Sequence, residues 1–162
     1  MTSAPLHIAA LAEQDIRACA AIMASSEPWT RYGIDGAGAL SVWRAALADG
    51  AAVSVARRGP LTCGFAWYIS RGAFGLSGYL KLLGVSHEVR GQGVGTALLT
   101  HTEQQACAGG HGDLFLLVSD FNEAAQEFYR RHGYTNVGAL AGYVHPDIAE
   151  LIYRKRLRPG GG

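Results

Sequence analysis

Apolar and polar positions change period several times along the 162-residue chain, and each change marks an element. Residues 5–11, PLHIAAL, form a short apolar run that reads as a first strand. Residues 13–25, EQDIRACAAIMAS, switch to a helical period that puts Ile16, Cys19, Ala20 and Met23 on one face. SSEPWTRYGIDGAG (25–38) breaks that period with a proline and several glycines. A second helix follows over 39–49 and stops near Gly50, a residue suited to a C-terminal cap. AAVSVARRGPLTCGFAWYIS (51–70) then predicts two strands around a turn at Arg58-Gly59-Pro60.

GYLKLLGVS (78–86) is the next predicted strand, and a helix follows from Val94 to about Ala108, ended by Gly109-Gly110. LFLLVS (114–119) is too short and too apolar for anything but a buried strand. NEAAQEFYRRHG (122–133) predicts a helix with Ala125, Phe128, Tyr129 and His132 on one stripe. YTNVGAL and AELIYRKRL close the chain as a strand hairpin through AGYVHPDI. The order β α α β β β α β α β β mixes consecutive strands with strand–helix–strand crossovers. It predicts an α/β fold with a mixed sheet and helices on both faces. One domain over 1–158 is expected, with 159–162 a flexible glycine-rich tail.

Composition narrows the function classes. The chain is 49% hydrophobic and 17% charged with a net charge of +1, an ordinary globular balance. The local basic run RKRLR (154–158) alternates with apolar residues, so it reads as the solvated face of a last strand rather than a nucleic-acid patch. Cys19, Cys63 and Cys107 are scattered, as reduced thiols in a cytoplasmic protein would be. The six histidines form no HxxxH or HxH pair, so no metal is expected. No apolar run approaches the ~20 residues needed to cross a bilayer, and no membrane association is expected.

The chemistry concentrates in HEVRGQGVGT (87–96), where glycines 91, 93 and 95 open a helix. The first N–H groups of a helix lack intrahelical partners and favour an anion. Glycines let several such donors converge, and Arg90 adds a fixed positive charge. The spacing fits neither the dinucleotide fingerprint nor the P-loop: Thr96 or Leu98 stands where a third glycine is needed, and no lysine follows. Taken alone, the stretch is a phosphate cradle or a structural turn.

Two blocks together carry a resemblance. VRGQGVGTALL resembles the acyl-CoA-binding motif of the GCN5-related N-acetyltransferase (GNAT) superfamily, Q/R-x-x-G-x-G/A, with Arg90, Gly93 and Gly95 filling it. NEAAQEFYRRHGY resembles the downstream block of the same family, an asparagine, Phe-Tyr, then glycine and an aromatic. The resemblance implies a six- to seven-stranded sheet whose fourth and fifth strands splay to admit acyl-CoA. Leu83, Gly84 and Val85 would meet the pantetheine arm. Arg90, Gly91, Gln92, Gly93, Val94, Gly95 and Thr96 would hold the pyrophosphate. Asn122 would touch the pantetheine, although an asparagine there also suits a helix N-cap. Tyr129 would lie by the departing sulfur as a hydrogen-bond donor or acid, and its alternative is a core tyrosine.

The implied activity is acetyl transfer from acetyl-CoA to a primary amine by direct attack on the thioester. A small-molecule acceptor is favoured slightly over a protein N-terminus, because LFLLV lacks an acid. A binding module that has lost catalysis is the other reading. The base is unassigned by the motifs; the candidates are Glu27, Tyr143 and His145, or a water chain carrying the proton to solvent, with Glu27 first among them. Glu27, Trp29, Tyr32, Tyr143 and His145 are the acceptor-side candidates, with charge and aromatic faces suited to an amine. Asp120 with Glu123 reads as a capping box first. A monomer or homodimer is expected.

Overall fold

The strand signals fold as β1 (Leu6–Ala10), β2 (Val53–Arg58), β3 (Leu61–Ala73), β4 (Ser77–Val85), β5 (Asp113–Ser119), β6 (Thr135–Ala141) and β7 (Ala149–Arg156). The helices are α1 (Ile16–Ala24), α2 (Gly36–Ala48), α3 (Val94–Ala108) and α4 (Glu123–Arg131). The structure is a computed structural model that describes residues 4–158; the expected glycine-rich tail at 159–162 lies outside the described residues. The seven strands form one mixed sheet in the order β1-β2-β3-β4-β5-β7-β6. The element order read from hydrophobic periodicity is the observed one.

By internal contacts, the described residues fall into two compact units. The first runs to Tyr68 and adds Leu82–Thr102; the second is Ile69–Lys81 with the chain from Glu103 onward.

In the first unit β1, β2 and β3 pair antiparallel, with a register shift between Ala56 and Arg57. Cys19, Ala20, Met23, Trp43, Val55 and Phe65 bury there as one core. The ring of Trp43 lies 4.4 Å from that of Phe65, and Trp29 reaches the same ring at 5.6 Å. Burying side chains of this size contributes about 1.5–3 kcal/mol each. Asp35 caps α2 by accepting from the Gly38 amide at 2.8 Å, so the helix starts three residues before the apolar pattern does. Gly50, at φ +65°, ends it.

A buried acid sits under this sheet. Asp15 accepts from Arg57 Nε at 2.8 Å and from its Nη2, from the Thr62 hydroxyl at 2.7 Å and from the Ala12 amide at 2.9 Å. Burial pushes its carboxyl up, yet those hydrogen bonds and the Arg57 charge outweigh it and hold the group below its ordinary value. The neighbouring Cys19 thiol is pushed up to about 12, chiefly by burial, and stays protonated.

In the second unit β4 pairs parallel with β5 over Gly78–Leu80 and Leu114–Leu116. On its other side β5 pairs antiparallel with β7, and β7 with β6. The basic run at the end of β7 is not simply solvated, as the alternation had suggested. Arg154 pairs with Asp113 at 2.8 Å and Lys155 with Glu103 at 2.9 Å, each partly buried, while Arg156 is exposed. Glu103 also accepts from the buried Tyr134 hydroxyl at 2.9 Å. Buried Leu157 and Tyr153 supply the apolar half of the pattern.

Candidate acyl-carrier site

Strand β4 ends against β3, where glycines are required. A methyl group at Gly84 would press to within 2.4 Å of Cζ on the fully buried Phe65 ring, and one at Gly64 would come within 2.6 Å of the Gly84 carbonyl oxygen. Leu83 and Val85 flank Gly84, both half-buried.

A single 3-10 turn, His87–Val89, follows, and Arg90 continues in extended backbone. Gly91 and Gly93 then take φ of +74° and +81°, in the region that excludes most side chains. A Cβ at either would meet nothing within 4 Å, so the turn opens onto free space. Val94, Leu98 and Leu99 bury and fix the start of α3, whereas Gly93 and Thr96 stay exposed and Gly95 half-buried. The Ala97 amide donates to the Gly93 carbonyl at 3.0 Å; the amides one turn earlier have no intrahelical acceptor by helix geometry. A convergent set of donors at the start of a 15-residue helix beside a guanidinium suits a phosphate-bearing ligand.

The turn is braced by residues the motifs did not point to. Arg58 donates to the side-chain and main-chain oxygens of Gln92, and Arg90 to the Val85 carbonyl and the buried Ser26 hydroxyl, both at 3.4 Å. His87 Nε2 lies 3.0 Å from the Ser25 carbonyl. The 25–26 segment therefore holds the turn in place. Its polar residues carry no sequence signal for that role, because the bonds span more than sixty positions.

The second block folds as a capped helix. Asn122 is the N-cap of α4, its Oδ1 accepting from the Ala125 amide at 3.2 Å. Asp120 is not part of a capping box: its Oδ2 accepts from the Ala149 amide at 3.1 Å, tying the end of β5 to the start of β7. The buried face of α4 also includes Gln126, which the apolar stripe omitted. Gln126 Nε2 donates to the Asp120 carbonyl at 2.9 Å, which satisfies the loop backbone. Tyr129 is buried, edge-on to Phe128 at 5.2 Å and Tyr134 at 5.7 Å. Burial pushes its phenol well above the ordinary tyrosine value, so it holds its proton at neutral pH.

The acceptor-side candidates lie apart in character. Glu27 is exposed and paired with Arg31 at 3.1 Å. Trp29 is buried in the first unit's core, and Tyr32 is half-buried with its amide on the Pro28 and Trp29 carbonyls. Tyr143 is exposed on the β6–β7 loop. His145 is exposed too, its Nδ1 accepting from the Asp147 amide at 3.3 Å within that turn.

The family model for the acetyltransferase (GNAT) domain matches residues 49–136, more than half of the chain and both motif blocks through Tyr134. The chain belongs to the GNAT acetyltransferase family. Acetyl-CoA is the co-substrate of GNAT enzymes. Among solved structures, a GNAT-family acetyltransferase from Desulfovibrio desulfuricans superposes with a TM-score of 0.80 at 20% identity, over 95% of this chain and 100% of that one. YncA from Salmonella typhimurium, solved with its cofactor acetyl-CoA, gives 0.72 at 16% identity, covering 98% of each chain. A nourseothricin acetyltransferase gives 0.61 at 26% identity over 65% of each. No curated protein matches the chain in sequence. The GNAT chain holds, among its described residues, no group of three His, Cys, Asp or Glu placed as metal ligands, and no helix long and apolar enough to cross a membrane.

Proposed function

We propose that the chain is an acetyl-CoA-dependent N-acetyltransferase whose acceptor is a primary amine. The observation that carries this reading is the Arg90–Thr96 turn, with left-handed glycines at 91 and 93 facing open space, a guanidinium at its mouth and a long helix behind. When bound, acetyl-CoA supplies the activated acyl group. The turn's amides and Arg90 hold its phosphates, each charge-assisted hydrogen bond contributing about 1.5–3 kcal/mol. Backbone groups of Leu83, Gly84 and Val85 receive the pantetheine arm.

The second block supplies two side chains. The capping bond of Asn122 engages only its oxygen, so its amide nitrogen remains a donor for the pantetheine. Tyr129, held protonated by burial, donates a hydrogen bond at the leaving sulfur rather than removing a proton. Glu27 is the proton acceptor for the amine in this reading, exposed beside Arg31. A small-molecule amine is favoured over a protein N-terminus because LFLLV carries no acid, and the nourseothricin acetyltransferase is a relative in keeping with that choice.

Thiol release from acetyl-CoA across amines, amino acids and N-terminal peptides tests the proposal. Turnover with one class of amine is expected. Coenzyme A binding without turnover on any acceptor would convert the reading to a non-catalytic acyl-CoA-binding module.

A further inference from the structure

The two arginines that end β2 are neighbours in sequence and opposite in their partners. Successive side chains of a strand point to opposite faces, and a register shift between Ala56 and Arg57 re-aims this end of β2 against β3. Arg57 turns to Asp15, a carboxylate that cancels its charge. Arg58 turns to the glycine turn, where Nη1 donates to the Gln92 side-chain oxygen and Nη2 to its main-chain oxygen at 3.4 Å. Both acceptors are neutral, so the Arg58 guanidinium keeps its full charge.

Gln92 is placed to aim that guanidinium. It stands between the left-handed Gly91 and Gly93, where the turn opens onto free space. Its Nε2 donates to the Glu88 carbonyl at 3.4 Å, which leaves Oε1 for Arg58. Glu88 enters this chain of bonds through its main chain. Arg90 repeats the arrangement, with its donors on the Val85 carbonyl and the Ser26 hydroxyl. Among the described residues no carboxylate pairs with Arg58 or Arg90.

Two uncancelled guanidiniums at one turn exceed what bracing requires. Fastening the turn needs hydrogen bonds and no charge, and Gln92 engages only part of the Arg58 fork. The remaining N–H groups of that planar fork suit phosphate oxygens. The chain's net charge of +1 gives little general attraction for a polyanion, so the field that draws one must be local. Coenzyme A carries both a diphosphate and a separate ribose phosphate. The turn's amides with Arg90 provide for one of these groups, and Arg58 stands beside them with its charge free.

We infer that Arg58 is a second phosphate-binding residue of this site, aimed by Gln92, and that it makes the chain select acyl carriers by their phosphate charge. The inference rests on the acyl-CoA reading of the turn. Diphosphate and ribose phosphate offer Arg58 the same chemistry, and the experiment separates them.

Calorimetry on the full chain with coenzyme A, dephospho-coenzyme A and pantetheine, at several salt concentrations, tests it without any acyl transfer. Arg58→Gln should weaken coenzyme A by about tenfold or more, leave pantetheine within about twofold, and flatten the fall of coenzyme A affinity with salt. Arg58→Lys keeps the charge and loses the fork, so it should restore the salt dependence and part of the affinity. Coenzyme A bound equally well by Arg58→Gln overturns the inference. A loss shared by pantetheine, or one that leaves the salt dependence unmoved, also overturns it and makes Arg58 a brace only. Dephospho-coenzyme A weakened as much as coenzyme A assigns Arg58 to the diphosphate; dephospho-coenzyme A left unmoved assigns it to the ribose phosphate.

Should Arg58→Gln fail to fold, Gln92→Ala on the exposed turn decides instead. Weaker coenzyme A binding with a flatter salt dependence is then expected, and unchanged values overturn the inference. A native chain that binds neither coenzyme A nor pantetheine defeats the acyl-carrier reading and this inference with it. Coenzyme A binding that ignores Arg58 defeats the inference alone.

Discussion

In the unit that carries the glycine turn, Trp29, Trp43, Phe65 and Trp67 meet ring against ring, with centroids 4.4–6.0 Å apart, and fill the space between helices and sheet. In the other unit Phe74, Tyr79, Phe115 and Tyr143 stand around a cavity instead. The two groups have similar composition and opposite consequences. Rings that touch on all sides contribute packing and hydrophobic stabilisation. Rings that leave a space forgo part of that stabilisation and leave room for a ligand. Removing a ring should therefore cost the first unit more stability than the second.

Removing Trp43, which is fully buried, makes the sharpest test. Trp43→Ala should cost about 3–5 kcal/mol in a urea titration, against less than about 0.5 kcal/mol for Tyr143→Ala on the exposed loop. Similar losses at both positions would erase the distinction.

Asp15→Asn should cost a comparable 3–5 kcal/mol or so, because it leaves the Arg57 charge buried without its partner. The carboxyl's value is depressed on folding. Its contribution is thus complete above the unfolded value near 3.8 and is lost as pH falls through the lower folded value. Acid unfolding followed by circular dichroism should lose that dependence below about pH 4 in the variant.

Tyr129→Phe should lower kcat by about 10²-fold or more, with coenzyme A affinity held within about twofold. Loss of turnover and affinity together would assign Tyr129 to packing in the second unit, like its neighbour Tyr134.

Gly84→Ala forces a methyl group into the Phe65 ring and should cost about 1–3 kcal/mol, seen as a lower Tm. The smallest effect is of opposite sign. Phe74→Gly should recover about 1 kcal/mol of backbone strain before the entropy of the added glycine is counted, read as a shift in the urea midpoint. A large loss of stability there would mean that the ring belongs to a packed core.

Much of this was legible in the sequence because it depends on neighbours in the chain. Helix α3 runs over Val94–Ala108 as the pattern predicts, since the glycines before and after it act locally. Asn122 caps α4 for the same reason. Asp120 was misread because a capping box and a cross-strand anchor use the same residue types, and only the position of Ala149 distinguishes them. Gln126 was missed because periodicity counts apolar residues and passes over a buried amide.

By itself the sequence determined the order of elements, the glycine turn with its arginine, and the family to which both motif blocks belong. These follow from φ preferences, helix ends and spacing within short windows, which the chain encodes locally. The tertiary structure decided which aromatic rings pack and which enclose a space, which residues brace the turn, and that Glu150 shares a sheet face with Tyr79 and Leu117. That face exists only once β4, β5, β7 and β6 adopt their register; the pairing of β4 with β5 and of β5 with β7 joins strands far apart in the chain, and no window of the sequence sets it.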